Sequence, residues 1–167
     1  MNGLFGGCKV AVNNNFTSNQ TGHYFSMCKI SDLRVLVVDS DAIELQKTCC
    51  SLTNIGINSV FCVDKSKDAL EIIRQEKDVH IVIAELRLDN FENTGIMLCR
   101  LAKETRPDII FLVKTKFTGV SFVCQSILAG ADATLDTSNN NEIEHSLPMW
   151  LDLVIKRINF RELIRKR

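Results

Sequence analysis

The chain has 167 residues, enough for one domain and short for two, with 46% apolar and 24% charged residues, as in a globular protein. Its formal net charge is zero, which removes any global pull toward nucleic acid or an anionic membrane. No apolar run approaches the ~20 residues that span a bilayer, and 7 cysteines without a CxxC spacing, beside 3 histidines, argue against zinc.

Residues 1–31 are rich in Asn, Gly, Ser and Thr without sustained periodicity, which predicts a disordered leader. Met1 to Gln20 lacks a basic n-region and an apolar h-region, so no secretory signal is expected. The odd cysteine count then favours a reducing compartment. Cys49, Cys50, Cys62, Cys99 and Cys124 fall inside apolar patterns and read as free, small hydrophobes.

Order is expected from Leu33. Val35 to Val38 is a run of four β-formers that ends in Asp39-Ser40-Asp41, the signature of a buried parallel strand with polar groups at its carboxyl edge. Asp41 can cap a helix that buries Leu45, Cys49, Leu52 and Ile55 and stops at Gly56. Val60 to Val63 is a short second strand, and Lys65 to Glu76 a helix burying Ala69, Leu70 and Ile73. Val79 to Ala84 forms a third strand ending at Glu85. After the loop Leu88 to Asn93, a helix is predicted to bury Ile96, Met97 and Leu101. Pro107 stops it, and a fourth strand, Ile109 to Val113, leads to Lys114-Thr115. Val120 to Leu128 is a helix ended by Gly130, and Ala131 to Leu135 a fifth strand ending at Asp136-Thr137. Asn139 to Asn141 form a loop or cap before a last helix that buries Leu147, Trp150 or Leu151, Val154 and Ile158.

Alternating strands and helices with right-handed crossovers predict an α/β fold, a doubly wound five-stranded parallel sheet of order 2-1-3-4-5. The domain spans residues 32–158 and is followed by a basic tail, 159–167. In that order the first and third strands are neighbours, and Asp39 meets Glu85 at the switch point.

The succession of Asp39 after its strand, Glu85, Asn93-Thr94-Gly95-Ile96, Thr115, Gly130-Ala131-Asp132 and Thr137 resembles the receiver domain of two-component response regulators. The resemblance covers about Leu33 to Arg157 and implies the flavodoxin-like fold just described. In that family two adjacent acids and an acceptor aspartate hold magnesium, a lysine neutralises the phosphoryl group, and a Ser/Thr hydroxyl hydrogen-bonds it. The resemblance places Asp39, Ser40, Glu85, Thr115 and Thr137 at those positions, so the second acid is Ser40, the acceptor is Glu85 and the lysine is Thr137. Magnesium needs near-octahedral oxygen ligation and is poorly held by neutral groups, and phosphoryl transfer needs positive charge around the transferred group. The expectation is therefore a vestigial pocket: no catalytic residue, no cofactor, and Asp39 and Glu85 as weak metal candidates only. The family's switch aromatic corresponds to Thr134.

Asp39 can also be read as a strand-end turn residue and Glu85 as a fixed structural carboxylate. Lys114 and Lys116 stand beside the same edge, and one of them can pair with Glu85. Lys116 is the expected pocket cation. His80 is expected as a core or helix-covered histidine, and Trp150 as core or interface.

Met149 to Arg157, an aromatic and apolar run ending in Lys-Arg, resembles the closing helix of plant type-B and clock-associated pseudo-response regulators. What the resemblance implies is a non-enzymatic pseudo-receiver, a protein-interaction module in phosphorelay signalling or transcriptional regulation. Its expected partners are response regulators, phosphotransfer proteins or transcription factors, met through the fourth helix, fifth strand and fifth helix, with no direct DNA or membrane contact. The nucleus is favoured over the cytoplasm. From Lys156 to Arg167 the chain sets Lys156, Arg157, Arg161, Arg165, Lys166 and Arg167 against Glu162, which suits a nuclear signal or a helix end. The alternative is a slow genuine phosphoacceptor with Glu85 or Asp39 as acceptor. An FMN carrier fits less well, since Asp39-Ser40-Asp41 would repel a phosphate.

Overall fold

A computed structural model describes residues 28–89, 94–117, 119–138 and 142–165. The expected leader to residue 27 and the expected cap at residues 139–141 lie outside the described residues. Five strands, β1 (Arg34–Val38), β2 (Ser59–Val63), β3 (Ile81–Glu85), β4 (Ile110–Thr115) and β5 (Ala133–Asp136), form one parallel sheet of order β2-β1-β3-β4-β5. Five helices connect or follow them: α1 (Ala42–Asn54), α2 (Ser66–Gln75), α3 (Thr94–Thr105), α4 (Val120–Leu128) and α5 (Glu142–Arg165). A 3-10 turn, Ile30–Asp32, leads into β1. Among the described residues no helix is long and apolar enough to cross a membrane.

Strand alternation divides the core into two layers. Val35, Val37, Ile81, Ile83, Ile110, Leu112 and Leu135 face α1 and α5, where Leu52, Leu147, Leu151 and Val154 cover them. Leu36, Val38, Val82, Ala84, Phe111 and Val113 face α2, α3 and the α4 side, packing on Ala69, Ile73, Cys99 and Ala102. With both faces covered, the central strands are apolar at nearly every position, which is why they read so plainly in the sequence.

Local chemistry sets the ends of the helices. The Asp41 carboxylate accepts the N–H groups of Ile43 (2.9 Å) and Glu44 (3.2 Å), opening α1 as expected. Gly56 and Gly130 take φ of +103° and +99° after α1 and α4, a conformation that glycine alone adopts without strain. Asp132, after Gly130-Ala131, accepts from Lys103 Nζ (2.6 Å), the Phe111 N–H (2.8 Å) and Arg157 (3.2 Å), joining α3, β4 and α5.

Three expectations are corrected. Helix α3 buries Ile96, Leu98, Cys99 and Ala102, while Met97 and Leu101 are 65% and 40% exposed. A Cβ at Gly95 would run into the Glu85 carbonyl oxygen, so the helix enters with Gly95 against β3 and its rotation follows from that contact. Strand β4 runs on to Thr115, which makes Lys114 a strand residue, and β5 starts at Ala133. Cys49 and Cys62 are not free: they form a disulfide between α1 and β2, with Cα atoms 7.3 Å apart.

Helix α5 continues through the basic stretch to Arg165. Its Asn159 side chain accepts the Cys28 N–H (2.7 Å) and donates to the Cys28 carbonyl (3.4 Å), tying the start of the described chain to the last helix.

Candidate functional site

The carboxyl ends of β1, β3, β4 and β5 converge on Asp39, Glu85, Lys114 and Thr137. Counting by twos along each strand explains the set. Asp39 continues the Val35-Val37 face, Glu85 the Ile81-Ile83 face, Lys114 the Ile110-Leu112 face and Thr137 the Ala133-Leu135 face. All four therefore belong to the α1/α5 layer, at the edge where the apolar core gives way to polar side chains.

Lys114 is the cation of this site. Its Nζ lies 2.6 Å from Asp39 Oδ2, with the two side chains 1% and 3% exposed. It also donates a hydrogen bond to Thr48 Oγ1 in α1 at 3.0 Å. The approach to Asp39 is an ion pair at short range rather than an aligned hydrogen bond. The other Asp39 oxygen, Oδ1, accepts the Asp41 N–H at 2.9 Å, and the Asp39 N–H donates to the Val63 carbonyl at 3.1 Å. The carboxylate is thus bound from both sides, and Asp41 has its own task as the cap of α1.

Lys116, the expected pocket cation, is not in the pocket. It follows the end of β4, its side chain is 55% exposed, and it pairs with Glu44 of α1 at 3.5 Å. Residue 114, still inside the strand, is held inward by its register opposite Glu85.

Glu85 is partly buried, and its pKa is raised from 4.5 to about 7. Burial is the larger cause, the Asp39 charge the next, and the Lys114 ammonium pulls the other way. The two carboxylates do meet at the edge, as the strand order requires. Ser40 stands apart from them: its hydroxyl donates to the Asp64 carbonyl (3.2 Å) and accepts the Asp89 N–H (3.0 Å), bridging the loops after β2 and β3. Asp89, at φ +56°, in turn binds the hydroxyl of Ser66 at the start of α2.

Thr115 is buried, and its Oγ1 accepts the Phe117 N–H at 3.0 Å, shaping the loop before α4. The Thr137 N–H donates to the Thr115 carbonyl at 2.9 Å, but Thr137 Oγ1 is buried with no hydrogen-bond partner among the described residues. Where the resemblance calls for a lysine, there is an unpaired hydroxyl.

Asp39 Oδ2 faces the Lys114 ammonium, and the residue that follows Asp39 is a serine rather than a second acid. Among the described residues no group of three or more His, Cys, Asp or Glu side chains is placed to hold a metal.

Beside this edge, α4, β5 and α5 enclose an open groove of about 440 Å³, lined by Phe117, Val123, Ile127, Thr134 and Trp150 among others. Thr134 Oγ1 is buried there without a hydrogen-bond partner among the described residues. Helix α4 carries no charged residue, and Val120, Ile127 and Leu128 are 77%, 54% and 84% exposed. Arg87 lies over the ring of Phe117, one of the groove residues, 3.9 Å from its centre. His80 lies at the opposite end of the sheet, where its Nδ1 accepts the Arg34 N–H at 3.0 Å and burial lowers its pKa, as expected of a half-buried structural histidine.

Sequence reasoning found Asp39 and Glu85 and weighed Lys114 only beside Lys116. The signal that separates the two lysines is register: strand β4 has to be carried past Val113 to place residue 114 inward.

No family model and no curated protein matches the sequence. Solved structures do. A response regulator receiver domain protein (CheY-like) from Methanospirillum hungatei is 24% identical with a TM-score of 0.65, over 75% of this chain and 98% of that one. A response regulator protein from Burkholderia pseudomallei, solved with a phosphorylated aspartic acid, calcium ion and citrate, is 21% identical with a TM-score of 0.63, over 81% and 76%. The BeF3-activated DrrB receiver domain is 26% identical with a TM-score of 0.58, over 72% and 97%. The fold is that of the receiver domains of two-component response regulators.

Proposed function

We propose that the chain is a pseudo-receiver: a protein-interaction module of two-component signalling or transcriptional regulation that works without phosphorylation. The observation that carries this reading is the buried Lys114–Asp39 pair, 2.6 Å apart. An ammonium in that position supplies the positive charge that a metal would otherwise bring, and it is covalently part of the chain. The site is then neutralised permanently and cannot be switched by loading or unloading a cation. Glu85 and the unpaired Thr137 hydroxyl support the same reading, since neither the acceptor nor the neutralising lysine of the family is present.

In this reading the working surface is the α4-β5-α5 face. Its uncharged helix, its exposed Ile127 and Leu128 and the adjoining groove suit a partner that buries apolar side chains. The expected partners are response regulators, phosphotransfer proteins or transcription factors, and the basic end of α5 favours the nucleus. The plant-type affinity rests on Met149 to Arg157 alone.

Incubation of the whole chain with a small-molecule phosphodonor and magnesium, followed by intact mass, tests the reading. No phosphoryl adduct is expected at Glu85 or Asp39. A stoichiometric, acid-labile or base-labile adduct on either residue would replace the proposal with a slow phosphoacceptor.

A further inference from the structure

The Cys49–Cys62 disulfide joins the two elements that hold the buried ion pair. Cys49 follows Thr48, whose hydroxyl accepts the hydrogen bond of Lys114 Nζ at 3.0 Å. Cys62 precedes Val63, whose carbonyl accepts the Asp39 N–H at 3.1 Å. Each sulfur is therefore one residue from a group that binds one member of the Lys114–Asp39 pair. The disulfide lies on the sheet edge, since β2 is an outer strand and among the described residues pairs only with β1. Cys62 is exposed on that edge and Cys49 is only partly buried, so a thiol reagent can reach the bond without the core opening.

We infer that Cys49 and Cys62 are a reversible redox modification site, and that their oxidation state sets how firmly α1 and β2 grip the Lys114–Asp39 pair. The oxidant would be a small disulfide of the glutathione class. The Cys62 thiolate attacks one sulfur of oxidised glutathione and expels a glutathione thiolate, leaving a mixed disulfide. The Cys49 thiolate then attacks the Cys62 sulfur, forms the protein disulfide and expels the second glutathione. Two electrons pass from the protein to glutathione, and the two protein thiol protons appear on the two reduced glutathione molecules. Excess dithiol attacks the protein disulfide, closes to its own cyclic disulfide and returns Cys49 and Cys62 to thiols. In the oxidised form the end of β2 and the middle of α1 are cross-linked across the pair they hold. In the reduced form the two elements are held by the loop 55–58 and by packing, without the cross-link, and the grip loosens. The inference concerns the ion pair and does not depend on whether the chain is phosphorylated.

The test uses the full chain carrying Cys50→Ser, which removes the neighbouring exposed thiol and leaves Cys124, also exposed, as an internal reference for alkylation. The protein is equilibrated with oxidised or reduced glutathione, alkylated and weighed. Amide exchange is followed at Asp39 and Asp41, whose N–H groups bond to Val63 and to Asp39 itself. In oxidised glutathione, Cys49 and Cys62 should resist alkylation while Cys124 reacts, and dithiothreitol should restore both. Exchange at the two amides should be about tenfold slower in the oxidised form. A second variant, with Cys62→Val added, should lose the glutathione dependence of exchange. The inference is overturned if both thiols stay open to alkylation in oxidised glutathione. It is equally overturned if the bond forms and exchange at Asp39 and Asp41 is unchanged, or if the Cys62→Val protein still responds.

Discussion

The ammonium of Lys114 and the carboxylate of Asp39 lie 2.6 Å apart with almost no exposed surface on either. Two ions so placed have lost most of their hydration, and each is tolerable only because the other is there. Replacing Lys114 by methionine leaves Asp39 as a buried charge without its counter-ion. That should cost about 3–5 kcal/mol, read as a lowered urea midpoint with unchanged slope. The double change Lys114→Met with Asp39→Asn should recover most of the loss. If the single variant is within ~1 kcal/mol of the parent, the pair is solvated and the pocket is open.

Glu85 makes stability depend on pH in a definite direction. Its folded pKa, about 7, lies above its ordinary value of 4.5, so the folded state holds this proton more tightly than the unfolded chain does. The contribution is fully present below about pH 4.5, is lost as pH rises toward about 7, and is constant above that. Glu85→Gln should remove this falling segment and stabilise the protein at about pH 8, by up to roughly 3 kcal/mol. Urea melts of parent and variant between about pH 5 and about pH 8 measure it. Curves that run parallel across that range would show that Glu85 is ionised throughout.

Magnesium binding should be restored only by a combined change. Ser40→Asp with Glu85→Asp adds one acid to the edge and shortens another, but Lys114 still faces Asp39 Oδ2. The double variant should therefore bind magnesium no better than the parent, while adding Lys114→Met should bring binding into a range that calorimetry detects. Tight binding by the double variant alone would mean that the ammonium is easily displaced.

Gly95 should tolerate no side chain. A methyl there meets the Glu85 carbonyl oxygen, a backbone atom that cannot move without shifting β3. Gly95→Ala should destabilise by about 1–3 kcal/mol in thermal melts, even though alanine is the better helix former.

Charging the exposed α4 surface should leave the fold alone. Ile127→Glu and Leu128→Glu replace side chains that are 54% and 84% exposed, so each should alter stability by no more than about 0.5 kcal/mol. If the face is the docking surface, the same variants should lose the partner in pull-down while melting normally.

The sheet was legible because Val35–Val38, Val79–Ala84 and Ile109–Val113 are apolar at every position except His80, a pattern that only strands covered on both faces sustain. Asp39 and Glu85 followed from the strand ends and the strand order. Helix α3 was legible as a helix but not in its rotation. Thr94 to Ala102 is apolar on several sides, and the face is chosen by the approach of Gly95 to β3, a contact distant from that pattern. Lys114 was obscured by its type, since a lysine at the end of an apolar run reads as the end of the strand. The Cys49–Cys62 pairing left no trace in spacing: Cys50, beside Cys49, is one residue nearer to Cys62 in sequence, and only the docking of α1 on the sheet selects Cys49.

The clasp of Asn159 on Cys28 has a topological consequence. It draws together two points 131 residues apart in sequence, at the edge of the sheet opposite Asp39 and Lys114. Only the helix from Asn159 to Arg165, about 9 Å long, separates the clasp from the last described residue. A short peptide joining Arg165 to Cys28, with new termini opened in an exposed loop, should give a circular permutant of residues 28–165 with the same sheet. Two proteins fused to a chain trimmed to residues 28–165 should therefore emerge near each other, on the far side from the pocket.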